Sequence, residues 1–226
     1  MRVVIPTDLK EITLSQYKRY QKVVADNQDD EVYICIQMVA IFCNLEMSEV
    51  MKIPSLEFAE IVKTISLTLD QTPPLTRTFK MNGVNYGFIP NLEKISIGEH
   101  ATIDTCMGKD ELTELMMSVC YRPMTKKALP FYEIEAYTGD ESLADNFKDV
   151  PMHIARGAMV FFWDLFKELL SSTLSSIPKR VEREGMSLES VGLGTNLLYD
   201  LAENLESEFT MLEQRVYTNH SRYYLI

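Results

Sequence analysis

The chain has 226 residues, 46% apolar and 24% charged, which is ordinary globular usage and long enough to bury a core in one large domain or two small ones. Its 22 basic residues against 33 acidic ones leave a net charge of −11. That balance repels phosphate backbones and argues against a nucleic-acid groove, so proteins are the expected partners. The four cysteines, Cys35, Cys43, Cys106 and Cys120, form no CxxC pair. Cys35, Cys43 and Cys120 lie in apolar helical windows and read as buried, reduced thiols, which points to a reducing compartment.

The opening "MRVVIPTDLKEITLSQ" carries one Arg, then Pro and an acid within ten residues, and does not read as a signal peptide. Leu14, Tyr17, Gln21 and Val24 then recur at helical spacing. Asp29 and Asp30 open "DDEVYICIQMVAIFCNL", a second helix apolar nearly all round and expected at the centre of the core. Pro54 and Ser55 start a third helix with Phe58, Ile61, Ile65 and Leu69 on one stripe, and "QTPPLT" at 71–76 breaks it. A hairpin is expected next. Phe79 and Met81 alternate with Thr78 and Lys80, Asn82-Gly83 is the preferred type I′ turn pair, and Phe79, Met81, Val84 and Tyr86 share one face. Beyond Pro90 the sequence reads as irregular around Gly98 and Gly108, with Asp110 capping a helix over "ELTELMMSVCY".

Pro123 and Pro130 bracket a predicted loop, and "FYEIEAY" at 131–137 reads as a third strand. Pro151 suits the first turn of a long apolar helix running to about Ser175, and Pro178 is expected to stop or kink the chain beyond it. In the last predicted helix Leu198, Leu201, Leu205, Phe209, Leu212 and Val216 form a narrow seam opposite Asp200, Glu203, Glu206, Glu208 and Glu213. With Tyr223 and Tyr224 of the aromatic tail, the first five of those apolar side chains are the candidate interface. The sum is an α+β fold, predominantly helical, with a small antiparallel sheet made of the hairpin 76–89 and the strand 131–137. Its expected parts are an N-terminal helical unit 1–72, a sheet module 73–177 and a C-terminal helix and tail 178–226, read together as one compact body. The most apolar run, "GAMVFFW" at 157–163, sits between Arg156 and Asp164 and is too short to span a bilayer.

No catalytic motif stands out. His100, Asp104 and Cys106 are close in sequence, yet no HExxH or paired zinc-type spacing accompanies them. Ser118 and Cys120 lack a nearby base, and "VGLGTN" at 191–196 lacks the third glycine of a dinucleotide fingerprint. Glu133 and Glu135 share a strand face, where a solvated surface is commoner than a metal site. No cofactor, metal or catalytic set is therefore expected. The alternative of another class is a small enzyme with an unrecognised site near Glu99, His100 and Asp104.

The blocks "FKMNGVNYGFIPNLEKISIGEHATID" (79–104), "ELTELMMSVCYRPMTKK" (111–127), "YEIEAYTG" (132–139) and "VPMHIARGAMVFFWDLFKELL" (150–170) resemble a set found in virion-region proteins of tailed bacteriophages, crAss-like and marine phages among them. That pattern runs from a strand ending in YGFIP through an S-x-GE step and a helix ending in YRP to a late helix containing FF and an aromatic. The chain departs from it at His100, where an aromatic residue would follow the GE. The resemblance implies a non-enzymatic structural or assembly role in the virion: a connector, tail or packaged component made in the host bacterial cytoplasm. It implies other virion proteins as partners and a homo-oligomer, and carries no catalytic residues across. The acidic charge and the short apolar runs add the expectation of no nucleic-acid and no membrane contact. An assembly chaperone that leaves the mature particle is the alternative within the same setting.

Overall fold

The computed structural model describes residues 3–107, 109–128 and 131–183. The fold is α+β and mostly helical, with one antiparallel sheet among the described residues. A first compact unit runs to Ala158 and a second begins at Met159. The seam at 198–216 and the tail tyrosines Tyr223 and Tyr224 lie outside the described residues.

Three long helices and one short one build the first layer. Helix α1 (Leu14–Asp26) starts at a reciprocal capping box, in which the Thr13 hydroxyl accepts from the Gln16 amide and the Gln16 side chain accepts from the Thr13 amide. Helix α2 (Glu31–Phe42) starts where the Asp30 carboxylate accepts from the Tyr33 amide at 2.9 Å, in keeping with the paired acids there. Its side chains from Ile34 to Phe42 are largely buried. It packs on α1, on the short α3 (Met47–Val50) and on α4 (Ser55–Leu69). Ile61, Val62, Ile65 and Leu69 close the α4 side of that core. On α1 the buried set is Leu14, Gln16, Tyr17 and Tyr20, rather than the expected Gln21 and Val24. Tyr20 is fully buried, with its ring 5.3 Å from that of Phe42.

The sheet has four strands in the order β1 (Thr78–Met81), β2 (Val84–Phe88), β3 (Tyr121–Ala128), β4 (Phe131–Ile134). The hairpin forms in the expected register, Phe79 opposite Tyr86 and Met81 opposite Val84, with Asn82 at φ 50° and Gly83 at φ 83°. Aromatic rings then hold one face together: Phe79 stacks on Tyr86 at 5.4 Å, and Tyr121 meets both Phe79 and Phe88 edge-on at 5.2 Å.

Three readings of the middle of the chain need correction. The stretch after Pro90 is not irregular, because Ile97–Cys106 forms a ten-residue helix, α5. The loop expected between Pro123 and Pro130 is strand β3. Residues 121–123 of β3 pair with β2 and 124–128 with β4, so Pro123 falls at the last rung to β2, beside a register irregularity at 124/126. There its missing N–H costs no rung to β2, and on the other side its carbonyl alone bonds, accepting from the Glu135 amide at 2.9 Å just past the end of β4. Asp110 does not cap the next helix, α6 (Thr113–Cys120). It begins a 3₁₀ turn, and its carboxylate accepts from Gln21 of α1 at 3.2 Å.

Helix α7 (Met152–Arg183) runs for 32 residues, through Pro178 rather than stopping there. Its start is fixed by the N-terminal segment: the Met152 amide donates to the Ile12 carbonyl at 2.8 Å, and the Leu14 amide to the Val150 carbonyl at 2.9 Å. Buried Arg156 donates from Nη1 to the carbonyls of Leu69 and Gln71, at the C-terminal end of α4, and from Nη2 to the Tyr17 hydroxyl at 3.4 Å. One residue on, Gly157 lets the 73–74 backbone lie against the helix. A Cβ there would stand 2.6 Å from the Pro74 carbonyl oxygen.

Two substitutions test these close constraints. Gly83→Val has open space around it, so its cost is backbone strain alone, about 1–3 kcal/mol. Gly157→Ala fails for the opposite reason, contact with a backbone that cannot rotate away, and should also cost about 1–3 kcal/mol. Denaturant melts of both variants check this; an unchanged midpoint in either would show that the turn or the close approach is absent.

Candidate functional site

A cavity of about 100 Å³ lies between the sheet, α5, α6 and residues 135–147. Local sequence positions each wall. Ser96 caps α5: its hydroxyl accepts from the Glu99 amide at 3.2 Å, and the Glu99 carboxylate accepts from the Ser96 amide at 2.6 Å. Gly98 leaves room for the Tyr137 ring, which a Cβ would meet at 2.8 Å. The Thr102 hydroxyl donates to the Gly98 carbonyl at 3.0 Å and so accepts from the Tyr137 hydroxyl at 2.8 Å. On the sheet side, Tyr86 lines the cavity with Phe147 edge-on at 5.3 Å.

Arg122, opposite Gly87 in the β2–β3 ladder, also lines the cavity. Its Nη2 donates to the second Glu99 oxygen at 2.5 Å, and both side chains are buried. Burial opposes ionisation of Glu99. The Ser96 hydrogen bonds and the Arg122 guanidinium outweigh it and hold the carboxyl below the usual carboxylate range. The pair is thus a fixed cation beside a fixed anion, with both carboxylate oxygens occupied. It staples α5 to the sheet and offers no proton to transfer near neutral pH.

The other residues singled out by sequence are scattered. His100 and Asp104 are exposed on α5, while Glu99 and Cys106 of the same helix are buried. Glu133 pairs with Lys126 at 3.0 Å on the exposed face of the β3–β4 hairpin, and Glu135 is exposed at the cavity. Among the described residues no group of three His, Cys, Asp or Glu side chains could hold a metal ion. The Ser118 hydroxyl donates to the Leu115 carbonyl of its own helix at 2.8 Å. Burial pushes the Cys35 and Cys43 thiols up to about 11 and raises Cys106 and Cys120 as well, which keeps all four protonated and poorly nucleophilic. His153, in the first turn of α7, is lowered by burial, and its Nδ1 is buried without a partner. No helix among the described residues is long and apolar enough to cross a membrane.

Sequence reading misses the Glu99–Arg122 pair. One signal for it is present, the Ser96-x-x-Glu99 capping box. The other half, 23 residues away, depends on tertiary packing.

Comparison with known proteins finds no matching family model, no matching curated protein and no matching solved structure.

The pair separates two readings of this segment. Glu99→Ala leaves a buried guanidinium without its counter-charge and removes half of a capping box, so it should destabilise by about 3–5 kcal/mol. His100→Ala should change stability by less than about 0.5 kcal/mol. Because Glu99 is lowered in the folded state, its contribution is present above the unfolded value of about 4.3 and is lost as pH falls from there through the folded value. Thermal melts from pH 7 down to pH 2 should therefore show an acid-side loss of stability that shrinks in Glu99→Ala. A His100 variant as damaged as the Glu99 variant would overturn this assignment.

Proposed function

We propose that this protein is a non-enzymatic structural or assembly component of a tailed-bacteriophage virion, acting through interfaces with other virion proteins and with copies of itself. The observation that carries the reading is the placement of large apolar side chains in solvent on separate elements. Ile97 on α5 is 89% exposed, Leu56 on α4 82%, Phe131 on the edge strand β4 78% and Val4 in the N-terminal segment 76%. A single exposed apolar residue is ordinary. Four on different elements suit a subunit that meets several neighbours, because each can be covered by a different contact. The resemblance supports the same setting, since its blocks 79–104, 111–127 and 132–139 fall on the sheet and on the two helices, α5 and α6, beside it.

Mass spectrometry of purified particles tests the proposal. A stoichiometric, fixed copy number per particle is the expected result. Presence in infected cells with absence from finished particles would replace it with the assembly-chaperone reading. A chain that neither enters particles nor affects their yield when deleted would overturn both.

A further inference from the structure

We propose that an open groove of about 530 Å³ at the edge of the helical layer is a docking site for an extended basic and apolar segment of a partner protein. Val3, Ile5, Ile53, Pro54 and Ile61 supply its apolar floor, while Glu57 and Glu60 project from α4 along it. Three features define the occupant.

The first is charge. Glu49, also on the groove, accepts from the Glu46 amide in a capping box. Glu57 and Glu60 form no ion pair with any described residue. Among the described residues, Lys52 is the one basic side chain lining the groove against these three acids. A segment placing Lys or Arg beside Glu57 and Glu60 meets complementary charge. The apolar seam 198–216 of a second copy would bring Glu203, Glu206 and Glu208 to the same rim, so like charges oppose that occupant.

The second is backbone. Val3 and Ile5 line the groove while Val4 between them points to solvent, the period-two alternation of a strand. The backbone groups of Val3, Val4 and Ile5 make no hydrogen bond to any described residue. An extended peptide laid beside them gains main-chain hydrogen bonds and puts alternate side chains on the floor, the strand-addition mode of recognition. The third is apolar surface. Met51 and Leu56 flank the lining residues 52–54 in sequence and are 68% and 82% exposed, which extends the area a partner can cover.

The proposal rests on the interface reading above but is tested apart from it. The full chain is titrated calorimetrically with the peptide acetyl-KLKVKLK-amide, its glutamate counterpart acetyl-ELEVELE-amide, and a version of the first with alternate backbone amides methylated. The lysine peptide should bind and the glutamate peptide should not. Glu57→Lys with Glu60→Lys should weaken binding at least about tenfold. Asp26→Lys with Asp29→Lys, the same charge change at exposed positions away from the groove, should alter it by less than about twofold. Equal weakening by both double variants would reduce the effect to net charge and overturn the proposal, as would no binding at all. Full binding by the methylated peptide would overturn the extended pairing. Particles that contain the chain, with no peptide binding, would remove the groove and leave the virion role standing.

Discussion

A buried cation holds the helical layer together. Placing the Arg156 guanidinium away from water is costly unless its donors are met, and a cation without acceptors would be expelled or would disrupt its surroundings. Here the acceptors are the carbonyl of Leu69, the last residue of α4, where the helix leaves carbonyls unsatisfied and its dipole favours positive charge, and that of Gln71 two residues beyond. The Tyr17 ring adds a face 5.6 Å from the guanidinium carbon. One side chain from α7 therefore registers α1 and α4 at once. The close passage of residues 73–74 over Gly157 is a consequence of that registration, since both sit on consecutive residues of the same helix.

The sheet half uses the same device with the charges reversed in role. Glu99 is a local capping residue that also reaches a distant guanidinium, so the start of α5 and the position of β3 are set by one carboxylate. In both halves a group that a helix end already requires is shared with another element. This economy ties tertiary placement to secondary structure, and misplacing either helix end would leave a buried charge unmet.

How much of the fold is legible in the sequence depends on the range of the interactions involved. The Asn82-Gly83 hairpin and the Asp30 cap are written within four residues and can be read with their register. Helix α5 is equally local in its Ser96–Glu99 box, but Gly98 and a weakly amphipathic stretch mask it. Strand β3 is obscured by Pro123, normally a sign against a strand. Its tolerance depends on which neighbour each rung serves, a fact fixed only by the assembled sheet. In the sequence Arg156 is only a flank limiting an apolar run. Its role as a shared cap needs α1, α4 and α7 together, 139 residues apart at the extreme. The cavity beside Arg122 is the same kind of object, drawn from residues 86 to 147.

These constraints bear on function through preorganisation. A surface presented on elements tied by buried, paired charges and strand ladders loses little conformational entropy when a partner covers it, so modest apolar contacts can still be specific. Phe131 on the short edge strand is held by the β3–β4 ladder, and Leu56 sits on α4, a helix whose far end Arg156 fixes. The acidity of the chain then acts as a filter rather than an attraction in itself. With a net charge of −11, copies of the chain repel one another at long range in solution. A contact between them, or with another acidic protein, therefore needs apolar cover or local compensating charge to offset that repulsion. For the proposed virion role, that combination of rigid contact points and mutual repulsion would keep a subunit dispersed until its site on an assembly is available.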